Sequence, residues 1–242
     1  MIEGILLAVG IIFPFLLNAL GSLFVFFPFR DSSCEKAVSF SAGVMMGASF
    51  WSLLKPAHEI LFSNLGRLAF IPIILGVICG GLLIALFDLL FSVKQGGKLS
   101  SPAKLFIAVT AHNIPEGLTV GVALGSLPIV SALAVSFGIA VQNFPEGLAV
   151  SMLYADAPNG KKTGFKMGVL SALVEPVSSV IGLLLCNFIV FLQPAALCVS
   201  AGAMIYVCAS ELIPKGCKST VGTWAFTVGF CLMTALDIAL SV

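Results

Sequence analysis

The segment His112-Asn113-Ile114-Pro115-Glu116-Gly117-Leu118 is echoed thirty residues later by Gln142-Asn143-Phe144-Pro145-Glu146-Gly147-Leu148. The shared pattern is Asn-x-Pro-Glu-Gly-Leu. On an α-helix, residues four apart lie on one face about 6 Å apart along the axis, so His112 pairs with Glu116 and Gln142 with Glu146. Asn113 and Asn143, three residues before each Glu, share that side. The two faces together offer one imidazole, two carboxylates and three side-chain amides. Imidazole and carboxylate bind zinc and its first-row neighbours, while amide oxygens and shared carboxylates also suit harder ions. Two Glu residues shared between adjacent ions can form a two-metal site, and no cysteine lies on these faces.

The elements that must position these residues are membrane spans. Apolar runs bounded by charge, Gly or Pro predict spans over 4–28, 37–57, 68–92, 104–125, 130–154, 165–191, 195–214 and 221–241. Each can cross a hydrocarbon core of about 30 Å. The motifs fall in the fourth and fifth spans. Their prolines release the carbonyls of Ala111 and Val141 and kink both helices near mid-membrane, where irregular backbone normally lines a cavity. Consecutive spans run in opposite directions, so the two motifs can face each other about a pseudo-two-fold axis, as in inverted-repeat transporters.

Composition agrees with an all-α, polytopic integral membrane protein in one domain over 1–242. The chain is 59% hydrophobic and 10% charged, far below the roughly 25% charge of a soluble domain. A net charge of +1 without a basic tract argues against a nucleic-acid partner. The seven cysteines form no CxxC pair and read as packing residues. The first span begins almost at Met1 without a basic n-region, which reads as a retained span rather than a removable signal.

Orientation follows from Lys and Arg, which concentrate in cytoplasmic loops. With the N-terminus outside, Arg30, Lys36, Lys94, Lys98, Lys104, Lys161, Lys162, Lys166, Lys215 and Lys218 are cytoplasmic, and only Lys55 and Arg67 are outside. That asymmetry requires an even number of spans with both termini extracytoplasmic.

Ionisable groups inside a bilayer cost roughly 2.5–3.5 kcal/mol each on insertion scales, so they need partners or a function. Asp88, His112, Glu116, Glu146, Glu175 and Glu211 lie within predicted spans, and no Lys or Arg takes a central position beside them. A cation is the natural counterion. One motif alone would equally suit polar packing between helices or a protonated Glu. Two copies at matching depth, both with Pro and Glu and one with His, favour ligation. His58 and Glu59 end the second span on the outer side, where they could collect metal at an entrance or mark the water interface. Asp88 and Glu211 approach the cytoplasmic side, where they could receive metal at an exit or bond neighbouring helices.

These motifs resemble those of the ZIP (Zrt/Irt-like) divalent metal transporters, most closely the GufA-like branch. The resemblance extends to Ala42-Gly43-Val44-Met45, Ser49-Phe50-Trp51-Ser52-Leu53, Glu175-Pro176, Ala201-Gly202-Ala203-Met204-Ile205-Tyr206 and Glu211-Leu212-Ile213-Pro214. It implies an eight-helix transporter of 3+2+3 inverted-repeat organisation in the plasma membrane, moving divalent metal toward the cytoplasm. Zinc would be the foremost cargo, with cadmium, manganese, iron and copper as further candidates and no prosthetic group. By motif, the first site would comprise Met45, His112, Glu116, Gln142 and Glu146. A second would use Asn113, Asn143 and Glu175 while sharing Glu116 and Glu146. The resemblance also implies an elevator movement, with helices one, four, five and six sliding against two, three, seven and eight, often in a homodimer.

The chain departs from better-known zinc importers at Gln142, where many have His, at Ser210, where His is frequent before the Glu, and in the 92–103 loop, which lacks histidines. The competing function is an intramembrane metal-dependent enzyme using a metal-bound water. A helical zinc protease needs His-Glu-x-x-His, whereas Asn113 follows His112 and the site has no second His.

Overall fold

The computed structural model describes residues 2–27, 31–95, 100–155 and 159–240, and all regular structure among them is helical. Helix α1, Ile2–Leu23, runs into a 3₁₀ turn at Phe24–Phe26. Helix α2, Asp31–Ala48, continues through a π-helical turn, Ser49–Leu54, into α3, Lys55–Leu65. Helix α4 spans Phe70–Gln95. The motif helices are α5, Ser101–Ser126, and α6, Ile129–Leu153, each unbroken across its internal proline. Then come α7, Gly160–Ala172, α8, Val174–Leu184, and α9, Cys186–Val207. A second π turn, Cys208–Leu212, leads into α10, Ile213–Gly216, and α11 covers Thr220–Leu240.

Seven helical stretches among the described residues are long and apolar enough to cross a membrane. One of them, Glu35–Leu86, has 52 residues, more than twice the roughly 20 that a crossing needs. It is interrupted at Gly66, whose φ of 57° and ψ of −136° end α3. Glycine reaches that conformation without a Cβ clash.

Two boundaries differ from the sequence reading. The second span, expected over 37–57, remains helical to Leu65 because the π turn absorbs an extra residue instead of ending the helix. The sixth and seventh spans, expected over 165–191 and 195–214, are divided at Leu185 (φ −116°, ψ 25°) and not at Pro194, which lies inside α9. An internal proline costs a membrane helix one backbone hydrogen bond, but neighbouring groups can satisfy the freed carbonyl and the helix persists.

Helix α1 packs along α6, α8 along α5, α2 along α11 and α4 along α9. Close approach in the first two pairs depends on the motif glycines. A Cβ at Gly147 would overlap the backbone oxygen of Asn18, and one at Gly117 would overlap Ser178 Oγ and the Glu175 carbonyl. Small residues let transmembrane backbones meet in this way. The largest buried apolar cluster joins α2, α5, α6 and α9 through Met45, Leu105, Val109, Leu148 and Met204. Outward-facing Leu75, Ile78, Leu82 and Leu89 on α4, and Val228 and Leu232 on α11, are the surface that lipid solvates. The polar side chains are gathered inside: His112, Asn113, Glu116, Gln142, Asn143, Glu146 and Glu175 are all buried.

Candidate metal centre

The i, i+4 spacing works as the sequence requires, with His112 Nε2 lying 3.1 Å from Glu116 Oε1 one turn along α5. Across the helix pair, the same nitrogen lies 3.0 Å from Glu146 Oε1 on α6. One ligand atom from each of these residues falls within 4.8 Å of the others, and all three residues are buried. Tetrahedral zinc with bonds of about 2.0–2.1 Å separates its ligand atoms by roughly 3.3 Å, so the three are already spaced to share one ion.

Their remaining valences fit the same purpose. Neither imidazole nitrogen has a hydrogen-bond partner, and Glu116 Oε2 and Glu146 Oε2 have none either. Buried polar atoms left unpaired cost free energy unless something else satisfies them. Here a dication supplies both the missing coordination and the missing charge.

Gln142 completes the ring. Its Nε2 donates to Glu116 Oε1, while its Oε1 accepts from Ser52 Oγ at 3.0 Å. Asn143 Nδ2 donates to Glu175 Oε2 at 2.7 Å, which brings α8 to the same centre. Asn113 Nδ2 donates to the carbonyl of Ser171 at 2.9 Å. Both Asn side chains thereby spend their nitrogens on protein and leave Oδ1 unpartnered, as is Glu175 Oε1.

The other candidates fall elsewhere. Met45 is buried in the apolar cluster with Ala108, one turn from His112, and its carbonyl accepts from Ser49 Oγ at 2.9 Å. His58 and Glu59 are exposed on α3, with the His58 ring 5.4 Å from that of Phe62. Glu211 sits in the second π turn and pairs with Lys104 Nζ at 3.1 Å. The Asp88 side chain lies outside the described residues.

Two participants were missed in the sequence. Asp237 Oδ1 lies 3.2 Å from Ser52 Oγ, so the polar chain Glu116–Gln142–Ser52 continues to α11. Asp237 is a carboxylate inside the eighth predicted span, a signal that placed Asp88 among the candidates and should have placed Asp237 beside it. Lys104 was counted only as a cytoplasmic loop charge. Its long stem carries the ammonium to Glu211, 107 residues away in sequence.

The family model described as "ZIP Zinc transporter" matches residues 103–237, a span that holds both motifs, Glu175, Glu211 and Asp237. The chain belongs to the ZIP family. It is 30% identical to "Zinc transporter ZIP11" of Bos taurus, with 96% of each chain covered. It is 33% identical to "Zinc transporter GufA" of Myxococcus xanthus, over 84% of this chain and 85% of that one. These relatives place it in the GufA-like branch. As a ZIP member it is an integral membrane transporter of divalent metal and not an enzyme.

Proposed function

We propose that the chain carries divalent metal, zinc foremost, from the extracytoplasmic side into the cytoplasm through a binuclear centre between α5 and α6. The observation that carries this reading is the convergence of His112, Glu116 and Glu146 from both motifs within 4.8 Å at buried positions. Met45 and Gln142 complete the first site, and Asn113, Asn143 and Glu175 form the second with the two shared carboxylates. Relatives named as zinc transporters support the choice of cargo. Gln142, a neutral amide where an imidazole would favour zinc more strongly, supports a site that also admits cadmium, manganese, iron and copper.

The architecture we propose has eight crossings in a 3+2+3 inverted repeat. The 52-residue stretch folded at Gly66, long enough for two crossings, supports the count. Pairing α1 with α6 and α8 with α5, against α2 with α11 and α4 with α9, supports two bundles that slide as an elevator. His58 and Glu59, exposed on α3, suit the entrance, and Glu211 and Asp88 the exit. A homodimer in the plasma membrane completes the reading and rests on the family resemblance.

Purified protein sealed in liposomes should accumulate zinc down its gradient, with manganese and cadmium also entering, and show no peptide or lipid cleavage. Liposomes no leakier to zinc than protein-free ones would overturn the proposal. The charge distribution places both termini outside. In intact cells, an impermeant thiol reagent should modify a cysteine added near Val242 and spare one near Lys161, and the reverse pattern would invert the orientation.

A further inference from the structure

The helices around the metal centre obey a register that identifies one more candidate ligand. Gly80 on α4 lies against the Val199 carbonyl and Ala203 nitrogen of α9, just as Gly229 on α11 lies against the Phe40 carbonyl and Val44 nitrogen of α2. Within that match Ala42-Gly43-Val44-Met45 corresponds to Ala201-Gly202-Ala203-Met204. The inner helices follow the same rule. Gly117 and Gly147 are equivalent in the two motifs, and the first lies against Glu175 and Ser178 of α8, the second against Asn18 and Ser22 of α1. Ser22 Oγ donates to the Asn18 carbonyl at 3.0 Å, and Ser179 Oγ donates to the Glu175 carbonyl at 2.9 Å. Asn18 is therefore the counterpart of Glu175.

Asn18 is fully buried, and both of its side-chain polar atoms lack a hydrogen-bond partner. Helix α1 touches α5 and α8 as well as α6, so it flanks the motif helices as α8 does. Around the centre, five further oxygens are buried and unpartnered: Asn113 Oδ1, Glu116 Oε2, Asn143 Oδ1, Glu146 Oε2 and Glu175 Oε1. Three carboxylate and three amide oxygens make the octahedral all-oxygen set that suits a hard dication such as manganese, in contrast to the imidazole-containing site next to it.

We propose that Asn18 Oδ1 is the sixth oxygen ligand of the second ion site, which gives that site a preference for harder divalent ions. This rests on the transport centre proposed above and adds a ligand from α1 to it. The amide turns its oxygen toward the ion as it binds, and no proton or electron changes hands.

The test measures Mn²⁺ and Zn²⁺ binding to purified protein in nanodiscs, with Mn²⁺ followed by loss of the free-ion paramagnetic resonance signal. Asn18→Ala should weaken Mn²⁺ binding by about ten-fold or more, the scale of losing one supporting metal contact, and leave zinc affinity within about two-fold. Glu175→Asn should weaken Mn²⁺ binding at least as much. The exchange variant, Asn18→Glu with Glu175→Asn, keeps the ligand set and swaps its halves, so it should recover most of the loss caused by Glu175→Asn. Packing alone would not produce that recovery. An exchange variant that binds Mn²⁺ no better than Glu175→Asn overturns the inference, as does unchanged Mn²⁺ affinity in Asn18→Ala. Should Asn18→Ala not fold, the exchange pair decides. Wild-type protein that binds zinc but no Mn²⁺ overturns this inference alone, whereas wild-type protein that binds neither ion overturns the transport centre itself.

Discussion

Zinc uptake falls by roughly 100-fold or more when His112, Glu116 or Glu146 is replaced by Ala, while each variant remains inserted and folded. Even groups that only support a metal ligand typically contribute 10–100-fold, and these three supply the ligand atoms. Their ligand atoms already lie within 4.8 Å of one another. Removing Glu116 or Glu146 also leaves a bound dication short of one negative charge where the surroundings screen poorly. Folding should survive, because wild-type Glu116 Oε2, Glu146 Oε2 and both His112 nitrogens make no hydrogen bonds that the substitution would break. Radiolabelled zinc uptake into proteoliposomes, normalised to protein that elutes as a single species, is the measurement. Wild-type uptake by any two of the variants would remove the centre from the transport path.

The part of this site that sequence displayed is the part governed by helical periodicity. His112 and Glu116 meet because four residues make one turn, and the second copy announced itself by the same pattern around Glu146. The remainder depends on which helices become neighbours. Ser52 reaches Gln142 and Asp237 from a π turn, and nothing in Ser49-Phe50-Trp51-Ser52 marks that turn in advance. Lys104 and Glu211 looked like a loop charge and a lone intramembrane acid until α5 and the second π turn were placed side by side. Asn18 carries no motif of its own, and only its place beside Gly147 relates it to Glu175. The boundary at Leu185 was misplaced for a different reason. Proline is a strong stop signal in water, where a freed carbonyl hydrates, but inside a membrane bundle the helix continues through Pro194.

Gln142→His should tighten zinc binding by about ten-fold and raise the preference for zinc over manganese by a similar factor, since imidazole is the better zinc ligand and amide oxygen suits the harder ion. The position is already inside the centre. Gln142 Nε2 donates to Glu116 Oε1, and Gln142 Oε1 accepts from Ser52 Oγ at 3.0 Å. An imidazole one turn before Glu146 would place a nitrogen near His112 and turn two carboxylates and one imidazole into a set with two of each. Ser52 would lose its acceptor on α6 but keep Asp237 Oδ1 at 3.2 Å, so the hydroxyl is not stranded. The added imidazole must be free of its second proton to ligate, so zinc binding should weaken more steeply on acidification than in wild type. Tighter binding need not speed transport. An ion held more firmly leaves later, and turnover should fall even as affinity rises. Zinc and manganese titrations of purified wild type and variant at several pH values, paired with uptake rates, separate these effects. Identical zinc-to-manganese ratios and pH slopes in the two proteins would show that residue 142 does not touch the metal.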